Sequence, residues 1–318
     1  MAEYGFEQKS FQSTKIKAAF IAGFLLMVGI WAMVLSPDHG GLGPSSMNAK
    51  LRIDFVNVGQ GDAILVRTPR GRSYLIDGGM NVPSTQANRE NRDLVQNYLR
   101  TKRLRRLDGI VVTHNHNDHL GGIIPVLRLF RVDRIWDCGS PSNTQTYKEY
   151  ADLCEKKRIP REPAKAGDVL DWGPDLFVMV LHPAAVNKSQ EFSEMNNMSV
   201  TLLVRYGKVT TLLCGDIETA AEQEVARYGD ALKAQIVKIP HHGSDTSINT
   251  YFWNFVKPLT GIIQVGRDNP FGHPKIEALD LYRKLNVDLK RTDTNGSVRL
   301  EIGGENERDY SIEVDRNL

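Results

Sequence analysis

Cysteine is scarce in this chain, and its few cysteines form no recognisable pattern. Of 318 residues only three are cysteine, Cys138, Cys154 and Cys214. They make no CxxC pair, they are too widely spaced for a zinc finger, and an odd number cannot all pair within one chain. The sequence therefore predicts neither a disulfide framework nor a cysteine-based metal site.

The chain also lacks a strong charge of one sign. Its 40 lysines and arginines nearly balance 38 aspartates and glutamates, so the formal net charge is +2. Charge alone therefore selects no class of partner. With 41% apolar and 25% charged residues the composition is that of a globular protein, and the length suits one large domain or two smaller ones.

Long hydrophobic runs are absent except near the amino terminus. Residues 18–35 form an uncharged apolar run of 18 residues, just long enough to cross a membrane as a helix. Lys15 and Lys17 precede the run, which predicts a cytoplasmic amino terminus and an extracytoplasmic domain after it. A cleaved signal peptide, which would give a secreted protein, is the alternative, although no small-x-small cleavage site is evident.

The organisation predicted from this run has four parts. The segment 36–49 is rich in Gly, Pro and Ser, which is typical of a linker. We therefore expect a cytoplasmic segment over residues 1–17, a transmembrane helix or signal anchor over 18–35, a linker over 36–49, and a globular domain over 50–318.

Strand and helix patterns follow one another along the globular domain. One predicted hairpin ends at Asp77 and a second ends at Asp216, which indicates a duplicated unit of sheet plus helices. Two sheets packed face to face, with helices outside, would bury these patterns. Predicted strands cover residues 51–58, 63–67, 73–76, 109–112, 134–136, 199–205, 209–213, 236–239, 261–265 and 287–291, and predicted helices cover 91–100, 120–130, 147–158, 218–228, 249–257 and 274–285.

A dense group of metal-ligand side chains follows the predicted strand 109–112. Within six positions the chain places His114, His116, Asp118 and His119. Imidazole nitrogens and carboxylate oxygens bind divalent cations such as zinc or manganese. A solvated polar loop is the alternative, but four ligand-type residues so close together argue against it. The sequence therefore predicts a site for one or two divalent metal ions.

This group resembles the HxHxDH signature of the metallo-β-lactamase superfamily, and further motifs narrow the resemblance. In order along residues 50–302 they are Gly59-Gln60-Gly61-Asp62-Ala63, Leu75-Ile76-Asp77-Gly78-Gly79, Asn196-Asn197-Met198-Ser199, Cys214-Gly215-Asp216, Pro240-His241-His242-Gly243-Ser244, Gly272-His273-Pro274, Arg291-Thr292-Asp293 and Asn295-Gly296. As a set they are similar to the extracellular hydrolase domain of the ComEC DNA-uptake channel family. That family's multi-helix channel has no counterpart here, so the chain resembles a stand-alone relative.

The resemblance implies a fold and a set of metal ligands. The fold is an αββα sandwich of two mixed β-sheets flanked by helices, here preceded by one predicted transmembrane helix. The implied metal ligands are His114, His116, Asp118, His119, Asp216 and His273. Asp216 would bridge two ions, and Asp77 would orient the histidine loop by hydrogen bonding. On residue type alone Asp77 also suits a turn and Asp216 a helix amino-terminal cap.

The remaining site residues follow the later strands. His241 and His242 follow the apolar strand 236–239, and at least one of them should face the site. Whether that one binds metal or a substrate phosphate stays open. With His273 as the last ligand, His241 or His242 would stabilise an oxyanion or protonate a leaving group, and the catalytic residues would be this pair with Asp118 and Asp216. Two candidate substrate contacts are Glu218 and Ser244, although Glu218 equally suits a helix surface.

One position departs from the superfamily pattern. Many members carry a histidine just before the second hairpin, where this chain has Glu194-Met195-Asn196-Asn197-Met198-Ser199. Asparagine is a weaker ligand than imidazole. The first site is therefore expected to hold metal loosely, to favour manganese, or to be completed by His182. Whether His182 or Asn197 binds metal stays open.

These features together predict a metal-dependent hydrolase. The favoured substrate is a phosphodiester or other anionic substrate, DNA among them, cleaved outside the membrane by a phosphodiesterase or nuclease. Alternatives are a phosphoesterase acting on a cell-wall or lipid headgroup and a non-catalytic metal-bound binding module. A basic run at residues 100–106 could steer an acidic polymer, but a solvated helix end is the simpler interpretation. The oligomeric state stays open.

Overall fold

The structure, a computed structural model, describes residues 50–83, 85–86, 93–184 and 194–315. The predicted amino-terminal segment, transmembrane helix and linker all lie outside the described residues. Within the described ranges, no helix combines the length and apolar character that crossing a membrane requires.

The first half of the domain alternates strands and helices in a β-rich order. Its elements are β1 (Leu51–Phe55), β2 (Ile64–Arg67), β3 (Ser73–Ile76), α1 (Val95–Thr101), β4 (Arg106–Leu107), β5 (Gly109–Val112), α2 (Asn117–Leu120), α3 (Ile123–Leu129), β6 (Arg131–Val132), β7 (Ile135–Asp137), α4 (Gln145–Lys156) and β8 (Arg161–Pro163). The predicted helix 120–130 corresponds to α3, which begins only at Ile123, since Gly121 and Gly122 separate it from α2 and its last residue Leu120.

The second half repeats this alternation and then returns to the first sheet. Its elements are β9 (Leu176–His182), β10 (Thr201–Tyr206), β11 (Val209–Leu213), α5 (Thr219–Val225), β12 (Ile236–Lys238), α6 (Thr250–Val256), β13 (Thr260–Ile263), α7 (Ile276–Lys284), β14 (Asp288–Arg291), α8 (Thr292–Asn295), β15 (Val298–Ile302) and β16 (Tyr310–Val314). Short 3-10 turns cover Asn196–Met198, Ala226–Leu232 and Pro240–Gly243.

Both large sheets are mixed. The first has eight strands in the order β16-β15-β1-β2-β3-β5-β7-β8, and the second has six in the order β14-β13-β12-β11-β10-β9. In each sheet an antiparallel hairpin, β2–β3 or β10–β11, leads into parallel strands. The two predicted hairpins are therefore confirmed. Strands β15 and β16, which were not predicted, extend the first sheet by pairing β15 antiparallel to β1.

Apolar side chains fill two layers around the first sheet. One cluster lies between the two sheets and includes Tyr74, whose ring stacks on Trp172 with centroids 4.3 Å apart. A second cluster packs the other face of the first sheet against α1, α3 and α4. On the second sheet's side, Trp253 of α6 meets Tyr282 of α7 edge to face. Sheet faces sheet, with helices packed outside them, as expected for two facing sheets.

Candidate metal centre

The candidate site residues gather where strands of both sheets end. Asp77 follows β3, His114 follows β5, and Asp216 follows β11. His241 and His242 lie in the turn after β12. Because parallel strands end at one edge of a sheet, the chain delivers these side chains to a common edge.

Glycines allow the loops at this edge to touch through their backbones. The Gly78 amide donates to the His119 carbonyl at 2.7 Å. A Cβ added to Gly122 would lie 1.9 Å from the Gly78 carbonyl oxygen, and one added to Gly61 would lie 2.0 Å from the Asp118 carbonyl oxygen. Any side chain at these two positions would therefore separate the loops that hold the site.

Asp77 holds the histidine loop. Its carboxylate accepts from the Thr113 amide at 2.8 Å and from the Thr113 hydroxyl at 2.6 Å. It also lies 2.8 Å from His119 Nδ1. That contact places the proton on Nδ1 and turns Nε2 towards the centre. Asp77 itself has φ of 56°, a left-handed conformation that costs energy for a non-glycine residue and is commonly found at functional sites.

Four buried or nearly buried side chains form the densest cluster of metal-ligand atoms. Asp118, His119, Asp216 and His242 each offer one atom, and all four atoms lie within 4.8 Å of one another. His119 Nε2 is 3.0 Å from Asp216 Oδ2, and His242 Nε2 is 3.2 Å from the same oxygen. Two imidazoles and two carboxylates suit a divalent ion of the zinc or manganese type.

His114 and His116 lie next to this cluster, and the His114 ring centroid is 4.1 Å from that of His119. His114 Nε2 is 4.0 Å from Asp216 Oδ2 and 3.0 Å from His116 Nδ1. Ser199 steadies this part of the centre, since its hydroxyl lies 3.2 Å from His114 Nδ1 and accepts from the Asp216 amide at 3.0 Å. Three imidazoles, those of His114, His119 and His242, therefore lie within 4.0 Å of Asp216 Oδ2.

The electrostatics of the cluster favour a cation. Burial lowers the pKa of His242, but the carboxylates of Asp216 and Asp118 outweigh it and raise that pKa to about 9. The same opposition raises the pKa of His119 well above its ordinary value. Burial raises the pKa of Asp216, yet His119, His242 and Lys238 lower it well below its ordinary range. The carboxylates thus hold positive charge at the place where the imidazoles converge.

The adjacent histidines His241 and His242 have different contacts. His242 Nδ1 lies 2.7 Å from the Gln264 carbonyl, which can only accept, so Nε2 faces the cluster. His241 Nδ1 instead lies 3.1 Å from Glu218 Oε1 and 3.1 Å from the Thr246 hydroxyl. The turn that separates them is left-handed at both residues, with φ of 46° and 52°.

His273 lies outside the four-residue cluster. Its ring stacks against Phe271, with centroids 5.9 Å apart. Burial and the nearby His242 and His241 lower its pKa to about 4. Within the described part of the chain, its Nδ1 is a buried atom without a hydrogen-bond partner. The geometry therefore groups His242, and not His273, with Asp118 and Asp216.

The two asparagines at the departing position differ in their contacts. Asn197 Oδ1 accepts from the backbone amides of Glu218 and Ala221 and so caps the amino terminus of α5. The residue at the capping position is Glu218, and not Asp216, which suited a cap by residue type. Asn196 Nδ2 donates to Glu218 Oε1 at 3.2 Å. Its Oδ1 is buried and has no hydrogen-bond partner among the described residues.

Two further candidates lie away from the cluster. His182 lines a separate pocket with Glu224, and its Nδ1 lies 3.1 Å from the Ser199 carbonyl. Ser244 is buried and lies 2.9 Å from the Thr246 hydroxyl, outside the residues that line the pocket over the cluster. Thr246 connects Ser244 to the site, since its hydroxyl also lies 3.1 Å from His241 Nδ1.

Lys238 is the site residue that the sequence analysis missed. It is fully buried at the end of β12, and its ammonium group meets Asp62 Oδ2 at 2.5 Å, Asp216 Oδ1 at 3.4 Å and the Gly215 carbonyl at 3.1 Å. Burial alone would lower the pKa of Lys238, but the carboxylates of Asp62 and Asp216 outweigh burial and raise that pKa above its ordinary value. A lysine inside the apolar strand IVKIP was the available signal, because a buried lysine needs acidic partners.

A pocket of about 310 Å³ opens over the cluster. It is lined by Gln60, Met80, His116, Asn117, Asp118, Asn196, Asp216, His241, His242, Phe271 and His273. Ligand-type side chains on its floor and donors on its wall give it the composition of a catalytic pocket.

Part of the chain matches a known protein family. Residues 56–182 match the model of the metallo-beta-lactamase superfamily. A mutant of the CmlA beta-hydroxylase is similar in structure, with a TM-score of 0.50 and 14% identity over 79% of this chain and 53% of that chain, which bears on the fold alone. The chain thus has a mixed metallo-β-lactamase fold, and its residues 56–182 are similar in sequence to that superfamily.

Most of the chain is also similar to part of each of several curated proteins. The chain is 29% identical to ComE operon protein 3 of Bacillus subtilis, over 80% of this chain and 33% of that protein. It is 27% identical to Competence protein ComA of Neisseria gonorrhoeae, over 86% of this chain and 36% of that protein. The resemblance to the ComEC family is confirmed. The chain spans about one third of the length of these relatives.

Proposed function

We propose that this protein is a phosphodiesterase, with a nucleic-acid strand, DNA included, as its substrate. The observation that carries the proposal is the cluster of Asp118, His119, Asp216 and His242, of which all but the fully buried His119 line the pocket. His114 and His116, which lie next to this cluster, would complete the ligands, and one or two zinc or manganese ions would be held there. His242 takes the ligand position that the sequence favoured for His273.

The donor set fits such ions. It combines imidazole nitrogens with carboxylate oxygens, and Asp77 and the Gln264 carbonyl orient His119 and His242 through their other ring nitrogens. The buried Asn196 Oδ1, which has no partner within the described ranges, supplies one more oxygen at the pocket wall. Divalent ions bound there would polarise the scissile group and lower the pKa of a water molecule.

The protein's own side chains would then hold the substrate and move its protons. Burial raises the pKa of Glu218, but hydrogen bonds from His241 and Asn196 lower it, so Glu218 stays ionised beside His241 Nδ1. That contact leaves His241 Nε2 for a phosphate oxygen or for the leaving group. His273 also lines the pocket, and its ring centroid is 5.5 Å from that of His241. Two imidazoles beside the cluster suit the charge that develops on phosphate oxygens.

We also propose that the domain is extracytoplasmic. The apolar run 18–35, with Lys15 and Lys17 before it, supports an anchor that holds residues 50–318 outside the membrane. Among the relatives, one is named a competence protein and another, from Haemophilus influenzae, Recombination protein 2. Those names favour a nucleic acid over a cell-wall or lipid phosphate as the substrate.

The test compares substrates and then the two histidines of the pair. We expect the purified full chain with manganese or zinc to cleave bis(p-nitrophenyl) phosphate and a single-stranded oligonucleotide, but not a cephalosporin or a thioester. Turnover of only a β-lactam, a thioester or a lipid phosphate would refute the substrate class. His241→Ala should lower kcat by roughly a hundredfold with metal content unchanged, whereas His242→Ala should lose a bound ion. The reverse pattern would refute the assigned roles.

A further inference from the structure

Two arginine-rich segments that are distant in sequence form one surface. Strands β4 and β6 pair in parallel, with Arg106 opposite Arg131 and Leu107 opposite Val132. The pairing joins residues 100–106 to residues 128–134. The resulting surface, called the arginine face below, consists of exposed Arg100, Arg103, Arg105, Arg106, Arg128, Arg131 and Arg134.

Part of this charge is already matched by acidic or aromatic partners. Arg106 and Arg131 share Asp133, and Arg128 lies 2.6 Å from Glu149. Arg134 lies over the Trp136 ring. Lys102, from the same run, is turned away to Asp54.

Three arginines of this face have no acidic partner among the described residues. Among the residues that the structure describes, no carboxylate pairs with Arg100, Arg103 or Arg105. These three instead line a pocket of about 530 Å³. Its other walls are Leu104, Leu129 and Phe130. A group of free guanidinium ions around a concavity suits a bound phosphate, since the planar fork of arginine binds phosphate oxygens in pairs.

The arginine pocket lies near the amino-terminal end of strand β5, whereas the metal centre lies at its carboxyl-terminal end. Strand β5 starts just after β4 and ends at the histidine loop. Helix α3 starts at Ile123, beside that loop, and ends at Leu129, in the wall of the arginine pocket. A helix of this length spans about 10 Å, so a ligand that contacts both sites must be longer than one phosphodiester unit.

We propose that the arginine face is a second binding site, which holds the phosphate backbone of a nucleic-acid strand whose cleavage site lies in the metal centre. The proposal rests on the phosphodiesterase function proposed above and adds that the substrate is a polymer. A single phosphate would fill the pocket alone, whereas the face continues beyond it to Arg131 and Arg134. A bilayer surface is a poorer fit, because the arginines surround a concavity and Leu129 is its one largely exposed apolar side chain.

Binding to a labelled single-stranded oligonucleotide tests the proposal, with the full chain in detergent and a chelator present so that cleavage is not required. We expect the triple variant Arg100→Gln, Arg103→Gln, Arg105→Gln to weaken binding about tenfold or more. The slope of log K against log salt should fall by about two, since each lost phosphate contact on a single strand contributes about 0.7. The matched control, Arg70→Gln, Arg227→Gln, Arg283→Gln, removes the same charge from exposed positions elsewhere and should bind nearly as the unmodified chain does.

Hydrolysis separates this proposal from the proposed function. With metal present, the triple variant should cleave the oligonucleotide more slowly and bis(p-nitrophenyl) phosphate at the unmodified rate. If the unmodified chain cleaves neither substrate, the phosphodiesterase proposal fails, but the binding comparison still decides the arginine face. Equal oligonucleotide binding by the triple variant and the unmodified chain overturns the second site, including the case in which the face contacts anionic lipid instead. Equal weakening of the control overturns it too, because the effect would then be one of net charge.

Discussion

At the scale of single residues, the two asparagines at the departing position have separate tasks. Asn197 caps helix α5 through two backbone amides, at 3.0 and 3.3 Å. Asn196 presents a buried oxygen at the pocket wall. The sequence could predict that histidine was replaced here, but not which asparagine faces the site, because adjacent side chains in a tight turn point in directions that only the turn geometry decides.

Alanine variants should separate these tasks. Asn197→Ala should cost about 1 kcal/mol of unfolding free energy, as loss of a helix cap does, and should leave the affinity for manganese unchanged. Asn196→Ala should weaken manganese binding several-fold with little change in stability. Urea unfolding in chelator and calorimetric titration measure the two effects. Loss of metal affinity in Asn197→Ala, with none in Asn196→Ala, would show that the assignment is inverted.

A buried glutamate away from the pocket should make stability depend on pH. Burial raises the pKa of Glu222 to about 8, although a hydrogen bond from the Asn249 amide opposes the shift. Between pH 4.5, the ordinary pKa of a glutamate, and about pH 8 the folded protein keeps a proton that the unfolded chain has lost. Stability is therefore highest below that window and falls as pH rises through it, by at most about 1.4 kcal/mol per pH unit.

The variant Glu222→Gln supplies the comparison. It keeps the shape of the side chain and removes the titration, so its unfolding free energy should rise relative to the unmodified chain as pH increases from 4.5 to about 8. Chemical denaturation at several pH values measures the difference. Parallel pH profiles for the two proteins would mean that Glu222 is ionised in the folded state.

At the scale of secondary structure elements, local patterns predicted most strands but not where all of them pair. The hairpins that end at Asp77 and Asp216 were visible as apolar strands around a turn. Strands β15 and β16 also alternate buried or half-buried with more exposed residues, so a signal for them existed. Their sheet was not predictable from it, because β15 pairs with β1 near the other end of the domain.

The contact between the β3 loop and helix α3 depends on the lack of a side chain at Gly122. Its φ of −73° is ordinary for any residue, so only the contact with Gly78 excludes a Cβ. Gly122→Ala should therefore destabilise the chelated protein by about 3 kcal/mol through overpacking and weaken metal binding. Thermal unfolding and metal titration of this variant provide the measurement. Unchanged stability would show that the loops separate without cost.

At the scale of the whole molecule, the two halves assemble one centre that neither half holds alone. Asp118 and His119 come from the first half, and Asp216 and His242 come from the second. The sequence predicted the cluster at 114–119 because its ligands are adjacent along the chain. It left open which of His241 and His242 would join this cluster and did not predict that Lys238 would meet Asp216, since both depend on how the second sheet's strands end against the first.

We expect this shared centre to hold the divalent ions on which hydrolysis depends, and this claim can be measured directly. The most direct measurement titrates manganese or zinc into the chelated full chain, counts bound ions per chain, and records hydrolysis of bis(p-nitrophenyl) phosphate at each step, with Asp118→Asn alongside. We expect one or two ions per chain, activity that returns in proportion to occupancy, and at least one ion fewer in the variant. Full activity in the chelated protein, or an Asp118→Asn variant that binds and hydrolyses as the unmodified chain does, would contradict the claim.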